Sequence, residues 1–111
     1  MTVKPILRRQ AAEQDIADAV TYCLGEAGEA IAFGLIDALE AALEAALEQI
    51  KHNPKAGSNR YAHALQIEGL KAWSLKRYPY LVFYMEYTAQ IEIWRVLHGH
   101  RDIPAWLAEP N

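Results

Sequence analysis

Two apolar runs with a short polar break between them constrain this chain more than any other feature. Tyr80 to Tyr87 is rich in Leu, Val, Phe and Tyr, and Ile91 to Leu97 carries Ile91, Ile93, Trp94, Val96 and Leu97. β-Branched and aromatic side chains fill a pleated, half-buried surface, so both runs read as strands. The break Tyr87-Thr88-Ala89-Gln90 suits a short hairpin loop, although it lacks the Asn-Gly or Asp-Gly of the commonest turns. Strict alternation places Ile91, Ile93 and Arg95 on one face, and Glu92, Trp94 and Val96 on the other. The stretch therefore predicts a hairpin at the middle of an antiparallel sheet. A polar, basic exit follows it: Arg95, His98, Gly99, His100, Arg101.

Two helical patterns precede the hairpin. In Gln10 to Leu24, Ile16, Val20 and Leu24 step by four, with Ala12 and Ala19 beside them. Gly25 and Gly28 bracket an expected break. From Glu29 to Ile50 the spacing is stronger: Ile36, Leu39, Leu43, Leu47 and Ile50 recur at three or four and form one stripe. Glu40, Glu44 and Glu48 form a second row, read as a solvated face. Such a pair is an αα-hairpin whose apolar stripes need a cover, which the sheet supplies.

Residues 3–8 form a short strand in this reading, with Pro5 restricting it to an edge or to the strand's start. His52 to Arg60 is a loop, stopped by Pro54 and carrying the turn residues Gly57, Ser58 and Asn59. Tyr61 to Ile67 reads as a short helical turn ended by Gly69. Lys71 to Arg77 alternates and is expected as a strand, and Pro79 then turns the chain. Asp102 caps a short terminal helix carrying Ile103 and Trp106. The expected class is α+β: a helical hairpin packed on a mostly antiparallel sheet with three consecutive C-terminal strands and a short final helix.

Charge and cysteine content narrow the function. The chain of 111 residues suits one domain spanning 1–111, and its net charge of −3 is not that of a general nucleic-acid binder. The charge is uneven: residues 1–50 carry three basic and nine acidic groups, residues 51–111 eight and five. Such asymmetry points to a basic working face in the second half. The single cysteine, Cys23, excludes an internal disulfide framework and is expected as a small core residue. No apolar signal core or membrane-length apolar run is present, so the expected location is cytoplasmic.

Several local patterns resemble the ParE/RelE superfamily of bacterial toxins from type II toxin–antitoxin pairs. They are Asn53-Pro54 with Gly57, Gly69-Leu70 before a strand, Arg77-Tyr78-Pro79-Tyr80-Leu81-Val82-Phe83-Tyr84, and Arg95-Val96-Leu97-His98-Gly99-His100-Arg101-Asp102-Ile103-Pro104. The last block is the most specific and is closer to the ParE branch. The resemblance implies neutralisation by a cognate ParD-like antitoxin in a hetero-oligomer. It also implies inhibition of DNA gyrase by protein–protein binding, without catalysis, cofactor, membrane attachment or direct DNA binding by the toxin alone. The RelE branch, which cleaves mRNA on the ribosome, is the alternative, and an inactive member of the fold is a third reading.

Metal-free RNA cleavage needs a base, an acid and cations for the phosphorane charge. An arginine that many RelE-like nucleases carry after the third strand's Tyr falls on Leu81. A tyrosine in their terminal helix falls near Trp106 or Leu107. His98, His100 and Arg101 would be the catalytic set of such a nuclease, with Lys76 or Arg77 assisting. For the gyrase-binding reading the candidate contact residues are Arg77, Arg95, His98, His100, Arg101 and Trp106. The competing expectation is that Arg77 and Arg95 form ion pairs with Glu86 or Glu92, and that Trp73 and Trp94 are packing residues. No metal site is expected, because no third ligand accompanies His98 and His100.

Overall fold

A computed structural model describes residues 3–27, 29–99 and Ile103. Strand β1 (Ile6–Arg8) leads into helices α1 (Gln10–Ala27) and α2 (Glu29–His52). A 3-10 turn (Pro54–Ala56) and helix α3 (Arg60–Leu65) follow, then strands β2 (Leu70–Ser74), β3 (Tyr80–Glu86) and β4 (Ile91–His98). The sheet order is β1-β4-β3-β2. The β2–β3 and β3–β4 pairs are antiparallel, while β1 runs parallel to β4 at the edge. The expected hairpin thus occupies the middle of the sheet, and its loop is closed by Tyr87 N–H donating to Gln90 O at 2.7 Å.

The α2 stripe packs as the spacing predicted: Ile36, Leu39, Leu43, Leu47 and Ile50 are all buried. Leu39, Leu43, Leu47 and Ile50, with Ala12 and Ala19 of α1, meet Leu75, Val82, Tyr84, Ile91, Ile93 and Val96 in one core layer. A second layer covers the opposite face of the sheet. There Leu70, Ala72, Phe83, Met85, Leu97 and the helical residue Ile103 are buried, with Tyr61, Ala62 and Leu65 of α3 against them. Tyr61 meets Phe83 edge-on, with ring centroids 5.1 Å apart.

Three expectations are corrected. Helix α1 does not stop at Leu24 but runs through Gly25 to Ala27. A glycine inside a helix costs about 1 kcal/mol without forbidding it. The expected strand Lys71–Arg77 ends at Ser74, because Leu75 N–H already donates to Tyr80 O at 3.0 Å and closes a turn over the intervening residues. Arg77 lies in that turn with φ 74°, not on a strand. Third, the alternation along β4 is broken. Phe83 pairs with Arg95 but Tyr84 pairs with Ile93, so one extra residue is accommodated between them. This β-bulge shifts the phase. Val96 consequently joins Ile91 and Ile93 in the helix-facing core instead of lying opposite them.

The Asn-Pro-x-x-Gly pattern has a packing cause. The Tyr84 hydroxyl, on a fully buried side chain, donates to Pro54 O at 2.7 Å. A Cβ on Gly57 would collide with that same hydroxyl and ring. Burial raises the Tyr84 pKa to about 12; the Glu86 carboxylate adds to the shift and the Gly57 backbone amide partly offsets it. Tyr84 therefore stays neutral when folded at pH values that ionise it in the unfolded chain. Its contribution to stability is fully present below about pH 10 and is lost as pH rises toward 12.

Two outcomes follow. Gly57→Ala should destabilise the protein by about 2 kcal/mol or more in urea unfolding. Tyr84→Phe alone should cost about 1 kcal/mol, and the double variant should lose less than the sum, since the clashing hydroxyl is gone. Unfolding titrations between pH 9 and 12 should show a decline in stability that is markedly smaller in Tyr84→Phe.

Candidate functional site: the basic rim at the end of the central strands

The end of the β3–β4 hairpin that leads away from its loop gathers the candidate site. Tyr80 pairs with His98, their rings meeting edge-on with centroids 5.4 Å apart. Gly99 N–H donates to Pro79 O at 2.7 Å, which ties the exit of β4 to the turn entering β3. Arg77 therefore sits at the same end of the sheet as His98. The turn leaves Lys76 and Arg77 exposed, while His98 is half-buried. His100, Arg101, Asp102 and Trp106 lie outside the described residues, as do the terminal helix beyond Ile103 and the side chain of Cys23.

Helix α3 brings two further groups to this rim. A cleft of about 360 Å³ is lined by Arg60, Tyr61, Tyr78, Tyr80, Ser58 and Ser74, among others. The Arg60 guanidinium lies 5.5 Å from the Tyr61 ring centroid, within cation–π range. Ser58 reaches the rim by bridging to Ala72: each N–H donates to the other's carbonyl, at 2.8 and 2.9 Å. The sequence flagged neither Arg60 nor Tyr61 as rim residues. Arg60 closes the expected loop and Tyr61 opens the expected helical turn, and only the packing of α3 against the sheet brings them to β2 and β3.

Arg95 is not on this rim. It is 8% exposed, and its Nε and Nη2 donate to the two carboxylate oxygens of Asp15 at 2.7 and 2.8 Å. The Val96 N–H donates to the same carboxylate at 2.9 Å. The expected partners Glu86 and Glu92 are taken by others: Lys4 pairs with Glu86 at 2.8 Å and Arg9 with Glu92 at 3.0 Å. Alternation put Arg95 on the face of Ile91 and Ile93, and that is where it lies, turned toward α1; what the structure corrects is its expected role as an exposed contact residue. Asp15, whose partner is eighty residues away, gave no local sign of being buried. Trp94 is half-buried, with the Arg9 guanidinium 4.3 Å from its ring centroid, consistent with a packing role.

Among the described residues no cluster of three His, Cys, Asp or Glu side chains could hold a metal ion. The described part of the rim supplies cations, hydroxyls and aromatic faces, a set suited to gripping an acidic or aromatic protein surface.

The family model described as "ParE toxin of type II toxin-antitoxin system, parDE" matches residues 6–103. The chain belongs to the ParE toxin family. It is a ParE-type toxin of a type II toxin–antitoxin system. Its fold is similar to a solved structure titled "Chromosomal ParDE TA system from P. aeruginosa", with a TM-score of 0.68 and 14% identity. The match covers 86% of this chain and 96% of that one. No curated protein sequence matches significantly. Among the described residues of this ParE-family chain, no helix is long and apolar enough to cross a membrane.

The Asp15–Arg95 pair generates the next expectation. Asp15→Ala or Arg95→Ala leaves an uncompensated charge in the interior and should cost roughly 3–5 kcal/mol by urea unfolding. A loss of toxicity in Arg95→Ala should then track loss of folded protein, visible in circular dichroism, rather than loss of a contact.

Proposed function

We propose that this toxin acts by binding DNA gyrase through the rim formed by Arg77, His98 and their neighbours, and that a ParD-like antitoxin neutralises it in the cytoplasm. Membership of the ParE family supports the proposal over the ribosomal branch. One structural observation carries the preference for binding over cleavage. Among the described residues two positions offer no phosphate ligand: Leu81 is a half-buried apolar residue packed toward the second core layer. Arg95, the nearest strand cation to the rim, is held inside by Asp15. His100, Arg101 and Trp106 remain part of the proposed contact surface.

The decisive assay uses purified protein in two reactions. Gyrase supercoiling should be inhibited while ribosome-bound mRNA stays intact. Ribosome-dependent cleavage lost on His98→Ala would establish the nuclease instead, and inactivity in both assays would mark an inactive member of the fold.

Arg77 offers a sharper outcome. Its positive φ is strained for any residue with a Cβ, by about 1–2 kcal/mol, whereas glycine accepts it freely. Arg77→Gly should therefore keep or raise the thermal midpoint while weakening gyrase inhibition about tenfold, the size of one interface contact.

A further inference from the structure

Some cations of this chain are spent inside the fold and others are not. Lys4, Arg9 and Arg95 each close on a carboxylate, of Glu86, Glu92 and Asp15 respectively. Arg60, Lys76 and Arg77 have no ion-pair partner among the described residues. All three are exposed, and all three stand toward the end of the sheet where β4 leaves it. The stretch that carries them is short of acid: residues 51–85 hold six Lys or Arg and a single carboxylate, Glu68. Glu68 lies elsewhere, in a separate cleft shared with Lys71. Like charges left together repel, and a carboxylate brought from outside relieves that repulsion.

The cleft of about 360 Å³ beside Arg60 has the parts of a carboxylate pocket. Its size is at the small end for a ligand site, so it suits a protruding side chain rather than a flat surface. Among the described residues that line it, none is acidic. Arg60 is positioned from two directions. Its N–H donates to Ser58 Oγ at 3.2 Å, and its guanidinium stands over the Tyr61 ring. Tyr61 is in turn packed edge-on against the fully buried Phe83, so the donor fork rests on the core. Ser58 is fixed by its two main-chain bonds to Ala72, and its hydroxyl, which accepts from Arg60, keeps a proton to donate. Ser74 adds a second exposed hydroxyl, and Ala72 and Leu81 supply apolar surface.

We infer that this cleft receives a Glu or Asp side chain from an acidic segment of the target protein, with Arg60 as the residue that selects it. The inference rests on the binding role proposed for the rim and names the chemistry that the rim selects. A planar guanidinium holds a carboxylate through two parallel bonds, a geometry that a lysine ammonium cannot match. The serine hydroxyls donate to the same carboxylate, and the side chain's methylene stem lies against Ala72 and Leu81. Lys76 and Arg77 raise the positive potential around the mouth and speed the approach of an acidic partner. A nucleic-acid strand is the poorer occupant. Arg60 is the one cation among the described lining residues, whereas affinity for nucleic acid is built from many phosphate neutralisations.

The test uses the full chain and three fluorescein-labelled probes followed by anisotropy: a peptide repeating Glu-Ser-Leu, its Gln-Ser-Leu counterpart, and a single-stranded RNA of similar length. The Glu peptide should bind about tenfold more tightly than the Gln peptide. Arg60→Gln and Ser74→Tyr, both at exposed positions, should each abolish that preference, and Arg60→Lys should keep only part of it. Lys71→Gln, which removes a charge from the separate cleft, should leave it unchanged. In gyrase supercoiling, Arg60→Gln should weaken inhibition about tenfold, and excess Glu peptide should relieve inhibition by the wild type. Equal binding of the two peptides, no binding of either, an acid preference that survives Arg60→Gln and Ser74→Tyr, or tighter binding of the RNA would overturn the inference. Gyrase inhibition undiminished in Arg60→Gln would overturn it too, while leaving gyrase as the target. A wild type that spares gyrase yet shows the Arg60-dependent acid preference would overturn the gyrase assignment and uphold the cleft, for a different acidic protein.

Discussion

The carboxylate of Asp15 joins the helical layer to the middle of the sheet. It accepts from Arg95 Nε and Nη2 and from the main chain at Val96. Strand β1 ends opposite Ile93, so Val96 N–H, on that side of β4, has passed the last residue that could receive it. The bulge beside Arg95 supplies the rest of the geometry. By adding one residue to β4 it brings the arginine and the freed amide to one acceptor on α1. Removing two charges from water is costly, and only close, multiple, charge-assisted bonds offset it. The interaction thus fixes orientation more than it adds stability. It settles how α1 lies across β4, and therefore where the exit of β4 emerges.

That constraint divides the arginines by role. Arg95 is consumed in holding the layers together, and Arg9 lies over Trp94 while pairing with Glu92. Arg77 and Arg60 reach the far end of the sheet, Arg77 exposed in the turn before β3 and Arg60 in a cleft lined by hydroxyls and aromatic rings. The uneven charge along the chain acquires a spatial meaning in this way. Acidic groups of the first half form the row along α2, and basic groups of the second half stand at the rim. The two surfaces have opposite character and suit different partners.

The Asn-Pro-x-x-Gly segment shows why a short pattern can look generic yet be tightly specified. Pro54 stops α2, and its carbonyl then takes the hydroxyl of Tyr84 from the central strand. Gly57 is small because the same tyrosine occupies the space where its Cβ would stand. A loop signature and a strand aromatic are one contact, thirty residues apart in the chain.

Local pattern alone determined the α2 stripe, the central hairpin, the loop after α2 and the α+β class. Each depends on side chains a few residues apart along one element, and that spacing is visible in the chain. Helix α1, by contrast, buries Ala12, Asp15 and Ala19 rather than the step-of-four row begun by Ile16 and Val20. The family, too, was legible in the blocks around Arg77–Tyr84 and Arg95–Pro104. The tertiary structure alone decided the parallel pairing of β1, the bulge in β4, the burial of Asp15 and the arrival of Arg60 and Tyr61 at the rim. These depend on partners far apart in sequence, where no local period carries information. A single inserted residue in a strand shifts the inside–outside assignments beyond it, which is why Val96 was misplaced while Ile91 and Ile93 were not.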